Sequence, residues 1–246
     1  MIDILEDERI DDLEYKGLRI IQSEEGFCFG IDSILLVDFA KEIKENSTII
    51  DLGTGTGILG IMLSKKVNPL KIVGIEIQKE VYEMAKRSIS LNHLENKFEI
   101  INSDIKDIHN KLQMNIFDAV VTNPPYKKIG TGLTNKNDKK LVSRHEIAAS
   151  LEDFIKISYK ILKDKGSLYM VHRPDRLVDI IELLRKYKLE PKKIRFVYPK
   201  KEKEAKLLLI KAVKNAKPFL KIETPLYVYK ENGKYTDDIL RIYGKK

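Results

Sequence analysis

An α/β fold, with a mostly parallel seven-stranded sheet wound with helices on both faces and ending in an antiparallel hairpin, follows from three features of the 246-residue chain. From about Ser47 onward, short β-branched runs alternate with longer amphipathic ones, the rhythm of strands joined by helical crossovers. A glycine-rich turn, Asp51-Leu52-Gly53-Thr54-Gly55-Thr56-Gly57, stands where the first of these runs gives way to a helix. The last two extended runs are separated only by residues 199–204, which suits antiparallel pairing rather than another crossover.

The elements follow in order. Residues 15–22 read as a short strand and 31–43 as a helix, together an N-terminal extension over 1–46. The core, 47–216, opens with a buried strand at 48–52 and a helix at 57–66. Lys71-Ile72-Val73-Gly74-Ile75-Glu76 predicts the second strand, and 79–91 a helix with Val81, Met84, Ala85 and Ile89 on one side. Strands at 97–101 and 117–122 come next. Beyond a polar stretch at 127–140, a helix is expected at 151–162, a fifth strand at 167–172 and a helix at 176–187. Strands at 194–198 and 205–212 form the closing hairpin. In the C-terminal embellishment, 217–246, Leu226-Tyr227-Val228-Tyr229, the turn Glu231-Asn232-Gly233-Lys234 and Tyr235 suggest a second hairpin. Residues 1–246 are thus read as one domain extended at both ends.

Composition narrows the function classes. With 43% hydrophobic residues the chain can bury a large core, which excludes a disordered tail. No run approaches the roughly 18 apolar residues of a membrane span, and the acidic first twelve residues lack signal-peptide character, so a soluble cytoplasmic protein without membrane contact is expected. A single cysteine, Cys28, excludes an internal disulfide and Cys-cluster metal sites; four scattered histidines show no ligand spacing, and no metal is expected. The balance of 45 Lys and Arg against 37 Asp and Glu leaves +8, which favours polyanionic partners.

Three ligand classes compete for the glycine loop. A P-loop would end in Gly-Lys-Ser/Thr, where this chain has Ile58-Leu59. A dinucleotide site has a literal match, Gly55-Thr56-Gly57-Ile58-Leu59-Gly60, with acidic Glu76 downstream. Charge separates it from the third class. Asp51 would set an unneutralised carboxylate against a pyrophosphate, whereas S-adenosylmethionine brings an ammonium and a sulfonium. Glu76, ending the second strand, can accept from both ribose hydroxyls, and Asp104, after the third, from the adenine amino group. Ile77 and Ile105 are placed to sandwich the adenine. The bland alternative is that Asp51 caps the turn and that Glu76 and Asp104 are solvated strand-end acids.

The second motif, Asn123-Pro124-Pro125-Tyr126, follows the fourth strand. As structure alone it is a rigid turn. Chemically, two prolines remove two backbone donors and leave carbonyls free, while Asn123 adds an amide acceptor. Such a corner suits an amino group conjugated to a ring or carbonyl. Accepting both N–H bonds at Asn123 Oδ1 and the Pro124 carbonyl would favour a tetrahedral nitrogen and free its lone pair for in-line attack on a methyl group. Tyr126 is placed to stack on a flat base. No strong base is needed, since an alkylated arylamine loses its proton to water; oriented approach then supplies most of the catalysis, on the order of 7–11 kcal/mol.

The pair Asp-x-Gly-x-Gly-x-Gly and Asn-Pro-Pro-Tyr resembles amino-group N-methyltransferases dependent on S-adenosylmethionine, which implies the Rossmann-like class I methyltransferase fold. The rest of the chain is similar to a narrower family, the bacterial tRNA(Val) adenine-N6 methyltransferases, which methylate the adenosine just 3′ of the anticodon. That resemblance runs through Ile20-Ile21-Gln22, residues 27–36, Arg144-His145-Glu146, Val171-His172-Arg173-Pro174 and Pro225-Leu226-Tyr227-Val228-Tyr229. It implies that the segment with Phe29, Gly30 and Asp32 lies over the methionine end of the cofactor. It also implies that the loop after Tyr126 faces the substrate, with Lys127, Lys128 and Arg144 as substrate-binding candidates beside Lys136, Lys139 and Lys140. Gly130-Thr131-Gly132 would let that loop close over a target.

A second basic cluster, Lys192, Lys193, Arg195, Lys200, Lys201 and Lys203, brackets the late hairpin and could hold phosphates, although such runs are usually solvated faces. Tyr227, Tyr229 and Tyr235 suit either base stacking or hairpin packing, while His145 and His172 read as structural. Adenine-N6 methylation of tRNA leads, with DNA and an obligatory protein partner not expected. Glutamine-N5 methylation of a translation factor is the nearest rival, but only 50 residues precede Asp51, too few for the helical domain such enzymes carry. rRNA N-methylation, a non-catalytic RNA-binding role and NAD-dependent oxidoreduction remain further alternatives.

Overall fold

The computed structural model describes residues 3–24, 29–126 and 149–245. The chain begins with an antiparallel hairpin of β1 (Glu8–Asp12) and β2 (Arg19–Ser23). The expected strand at 15–22 therefore starts later, and β1 was not foreseen, because Glu8-Arg9-Ile10-Asp11-Asp12 carries almost no apolar signal. Helix α1 (Ile31–Phe39) is shorter than the 31–43 expected, its end turning over in short bonds from Lys41 N to Asp38 O and Ile43 N to Ala40 O.

The core strand β3 (Thr48–Leu52) is buried from Ile49 through Leu52 and flanked by parallel β4 (Lys71–Glu76) and β6 (Phe117–Thr122). Such two-sided burial is what a continuous apolar run in a central parallel strand serves. β5 (Phe98–Asn102) lies outside β4, and β7 (Leu162–His172) outside β6. β8 (Leu189–Tyr198) and β9 (Leu207–Lys214) are antiparallel, with β9 inserted between β8 and β7. The order β5-β4-β3-β6-β7-β9-β8 is the expected seven-stranded sheet with its closing hairpin. β7 and β8 begin earlier than expected, where Lys163-Asp164-Lys165 and Pro191 carry no strand signal.

Two short strands, β10 (Lys221–Ile222) and β11 (Leu226–Tyr227), add parallel to β8 and bring the sheet to nine among the described residues. They are too brief for periodicity to reveal. The second hairpin expected in 217–246 is reduced to one bridge, Tyr229 to Tyr235, around Gly233 at φ 79°. The chain then turns helical in α6 (Asp237–Ile242), because Thr236 Oγ1 accepts from Ile239 N and Asp237 and Asp238 stand in the first turn.

Helices cover both faces. On one, α1, α2 (Ile58–Lys66), α3 (Lys79–Leu91) and α6 share a core that includes Leu35, Ile61, Ile89 and Ile239. On the other, α4 (Leu151–Ile161) and α5 (Leu177–Lys186) bury Phe154, Ile155, Ile180 and Leu184. The N-terminal hairpin docks on α3, where Ile21 N donates to Ser88 Oγ at 3.0 Å and Arg87 grips the Glu8 carboxylate with both terminal nitrogens. No described helix is long and apolar enough to cross a membrane.

After β3 the chain adds β4 and β5 on one side, then returns to lay β6 and β7 on the other. That reversal opens a crevice outside the carboxyl ends of β3 and β6, where ligands bind in open α/β sheets.

Candidate active site

Leu52 stands opposite Thr122 in the β3–β6 register, and Thr122 Oγ1 donates to Leu52 O at 2.8 Å. The glycine loop and the proline corner therefore leave the sheet side by side, roughly one 4.8 Å strand spacing apart. The two motifs separated by 65 residues of sequence-distant chain meet at this crevice.

In the loop, Gly53, Gly55 and Gly57 have φ of 71°, 57° and 92°, a left-handed path that residues with a Cβ resist. Thr54 donates its N–H to Ile75 O and its hydroxyl to Asp51 Oδ2, the latter at 2.6 Å. Asp51 is fully buried, and its Oδ1 has no hydrogen-bond partner. Burial, reinforced by the nearby Glu76 charge and opposed by the Thr54 hydroxyl, raises its pKa to about 7. Glu76 accepts from Gly55 N at 3.0 Å and Gln78 N at 2.9 Å, yet burial still pushes its pKa up. Two under-compensated carboxylates beneath one loop make a site that rejects anions and favours a cation.

The other expected cofactor residues are less alike. Asp104 caps the 3₁₀ turn Ile105–Asn110, its Oδ1 accepting from Lys106 N at 2.9 Å and its Oδ2 pairing with Lys106 Nζ at 3.2 Å. Ile77 is exposed beside the loop, whereas Ile105 belongs to the core below. Phe29 packs partly buried against the α1 side of the core, its N–H held by Gln22 Oε1 at 2.8 Å. Gly30 precedes α1 in extended conformation, and a Cβ there would lie 2.8 Å from Asp32 Oδ1.

Asp32 is drawn to the corner. Its Oδ2 accepts from Asn123 Nδ2 at 3.1 Å and from the Tyr126 hydroxyl at 2.9 Å. The same hydroxyl lies 2.8 Å from Asn123 Oδ1, so its single proton has two acceptors to choose between. When that proton goes to Asp32, the amide oxygen of Asn123 is free to accept from a ligand. Pro124 is buried and Pro125 exposed. Burial, with the Asp32 charge, drives the Tyr126 pKa well up, so the phenol stays protonated.

Beneath Tyr126 lies His172, 5.2 Å between ring centres and fully buried. Its Nδ1 accepts from Arg173 N at 2.8 Å, and burial together with the Arg176 charge lowers its pKa to about 4. It is a neutral support for the tyrosine ring. The Asp32 link and the His172 support were missed from sequence, since no local pattern announces contacts between segments this far apart. Lys127, Lys128 and Arg144, with the rest of 127–148, and Cys28 lie outside the described residues. Among the described residues no group of His, Cys, Asp and Glu is gathered to hold a metal.

Comparison with known proteins identifies the family. The methyltransferase small domain family matches residues 29–187, more than half of the chain and the whole stretch from Phe29 to α5. The chain belongs to this family. Among curated relatives, a tRNA1(Val) (adenine(37)-N6)-methyltransferase of Porphyromonas gingivalis is 28% identical over 81% of this chain and 79% of its own. One of the same name from Aliivibrio salmonicida is 23% identical over 88% and 89%. A predicted O-methyltransferase of Agrobacterium tumefaciens superposes with a TM-score of 0.70 at 21% identity, over 87% of this chain and 95% of that one. M. jannaschii TYW2, solved in complex with AdoMet, gives 0.58 at 17% identity over 87% and 88%. As a member of the methyltransferase small domain family the chain is a methyltransferase with S-adenosylmethionine as cofactor. The buried, unpartnered Asp51 Oδ1 and the left-handed glycines fit a compact cationic ligand over the loop.

Proposed function

We propose that the chain methylates the N6 amino group of an adenosine in tRNA, and that this adenosine adjoins the anticodon of tRNA(Val). The relatives named for that reaction span most of both chains and support the substrate. The observation that carries the chemistry is the bond from Asn123 Nδ2 to Asp32, which fixes the amide so that Oδ1 is the atom left to receive an amine.

Each residue then has a task. Asn123 Oδ1 and the Pro124 carbonyl accept the two N–H bonds of the adenine amine and hold its lone pair toward the cofactor. Tyr126, supported by His172, stacks on the base. The glycine loop and Glu76 hold the ribose side of the cofactor, with Ile77 against its adenine and Asp104 toward the exocyclic amine. Phe29, Gly30 and Asp32 border its methionine end. Asp51, closed beneath the loop, acts through its field rather than by contact. Bound S-adenosylmethionine supplies an electrophilic methyl group. His172 is no base, because its Nδ1 already accepts a backbone proton and its pKa is about 4, so the product's proton leaves to water. Lys127, Lys128 and Arg144 are assigned to the substrate by the motif they follow.

Purified protein given methyl-labelled S-adenosylmethionine and unmodified tRNA is expected to label the RNA, with N6-methyladenosine after digestion. Label in a protein glutamine, or in another nucleoside, would overturn the reading.

A further inference from the structure

Three tyrosines at the C-terminus form a ladder. Tyr229 and Tyr235 stack with ring centres 5.4 Å apart and planes 14° apart, and Tyr235 and Tyr243 continue the stack at 5.8 Å and 22°. Tyr235 and Tyr243 are partly buried against the core beside α1, but Tyr229, the free end of the ladder, is 38% exposed. Tyr227, by contrast, packs on Tyr198 at 5.6 Å and is spent on the fold. A cavity of about 450 Å³ opens at the ladder, lined by Tyr229, Lys230, Asn232, Lys234, Tyr235 and Leu240.

Position gives the ladder its meaning. Tyr229 N donates to Pro199 O at 2.8 Å, just past the carboxyl end of β8, and Lys200 Nζ reaches Glu231 O at 3.1 Å. β8 runs parallel to β7, because both are antiparallel to β9, so the ladder stands at the same end of the sheet as Asn123. Three strand intervals, β6 to β7 to β9 to β8, separate the two, about 14 Å along the sheet edge.

The late basic cluster divides at this edge. Within β8, Lys193 is held by Glu42 and Glu223, Lys192 by Lys217 O and Arg195 by Thr224 O. Beyond the strand, Lys201 and Lys203 are exposed in the following turn, alternating with exposed Glu202 and Glu204, and Lys234 is exposed in the cavity lining. An aromatic face continued by a stack, with Lys234 and the Asp237-paired Lys230 in the same lining, matches a base with its phosphate, since stacking is indifferent to base identity and the cations track the backbone.

We infer that Tyr229 and the surrounding lysines form a second RNA contact, on which an unpaired nucleotide flanking the target stacks while the target base occupies the corner at Asn123. This rests on the proposed tRNA substrate and adds to it a binding platform on the C-terminal embellishment.

The test is direct binding of fluorescein-labelled, unmodified tRNA(Val) transcript, followed by anisotropy, with methyl transfer by the wild-type protein recorded in parallel. Tyr229→Ala is expected to weaken RNA binding about tenfold while S-adenosylmethionine binds as before, and Tyr229→Phe to restore affinity. Crosslinking of 4-thiouridine-substituted transcript to the wild-type protein should mark the peptide carrying residues 229–235. A wild-type enzyme that methylates tRNA while Tyr229→Ala binds it equally well, or a crosslink map that omits this peptide, would overturn the platform and leave the proposed reaction standing. A wild-type protein that neither binds nor methylates tRNA would overturn both.

Discussion

Asp51 carries a charge argument that can be titrated. Its folded pKa of about 7 lies above the ordinary 3.8, so its favourable contribution to stability is complete below about pH 4 and is lost as pH rises through about 7. Asp51→Asn should therefore gain melting temperature relative to wild type as pH is raised from 5 to 8, read by thermal denaturation. A cationic ligand favours the ionised carboxylate, so S-adenosylmethionine should bind about tenfold more weakly at pH 6 than on the plateau above about pH 8, while Asp51→Asn binds without that slope. Calorimetric titration across pH checks this; a flat wild-type profile would remove Asp51 from the account. At the corner, Asn123→Ala should lower turnover about 10²-fold or more with cofactor affinity retained, measured by single-turnover transfer and equilibrium binding. Asp51, Glu76 and the corner were legible because each sits in a short motif at a strand end. Asp32 entered only through the family resemblance, as an expected neighbour of the cofactor, and its bond to Asn123 was not legible because it crosses 91 positions.

At the scale of elements, Gly60 shows how a motif can be matched for a reason other than its ligand. It completes the dinucleotide-like run from Gly55, yet a Cβ there would lie 2.3 Å from Phe98 Cε1, so it lets α2 lie close on the sheet. Gly60→Ala should lower stability by about 1–3 kcal/mol in a denaturant titration, because overpacking against Phe98 outweighs the roughly 1 kcal/mol helix-propensity gain. The parallel strands were readable because burial on both faces demands apolar runs such as Ile49-Ile50 and Ile72-Val73. β1, β10 and β11 escaped because charged or two-residue strands have no period to read. The helix α6 was signalled by Thr236 with Asp237 and Asp238, a cap overshadowed by the Gly233 turn before it.

Across the whole molecule, the reversal of strand order sets two sequence-distant motifs on neighbouring strands, and the closing hairpin brings the C-terminal tyrosines to the same end of the sheet. The net charge of +8 suits the chain as a whole to a polyanion, so the Michaelis constant for tRNA should rise steeply with salt while cofactor binding changes little, as initial rates in increasing potassium chloride would record. The most direct test compares tRNA nucleosides by mass spectrometry from cells with the gene, without it, and complemented by wild type or Asn123→Ala. Loss of N6-methyladenosine from tRNA on deletion, restored by the wild-type chain and not by the variant, is the expected result. An unchanged N6-methyladenosine content after deletion, with a different nucleoside or a protein methylation lost instead, would contradict it.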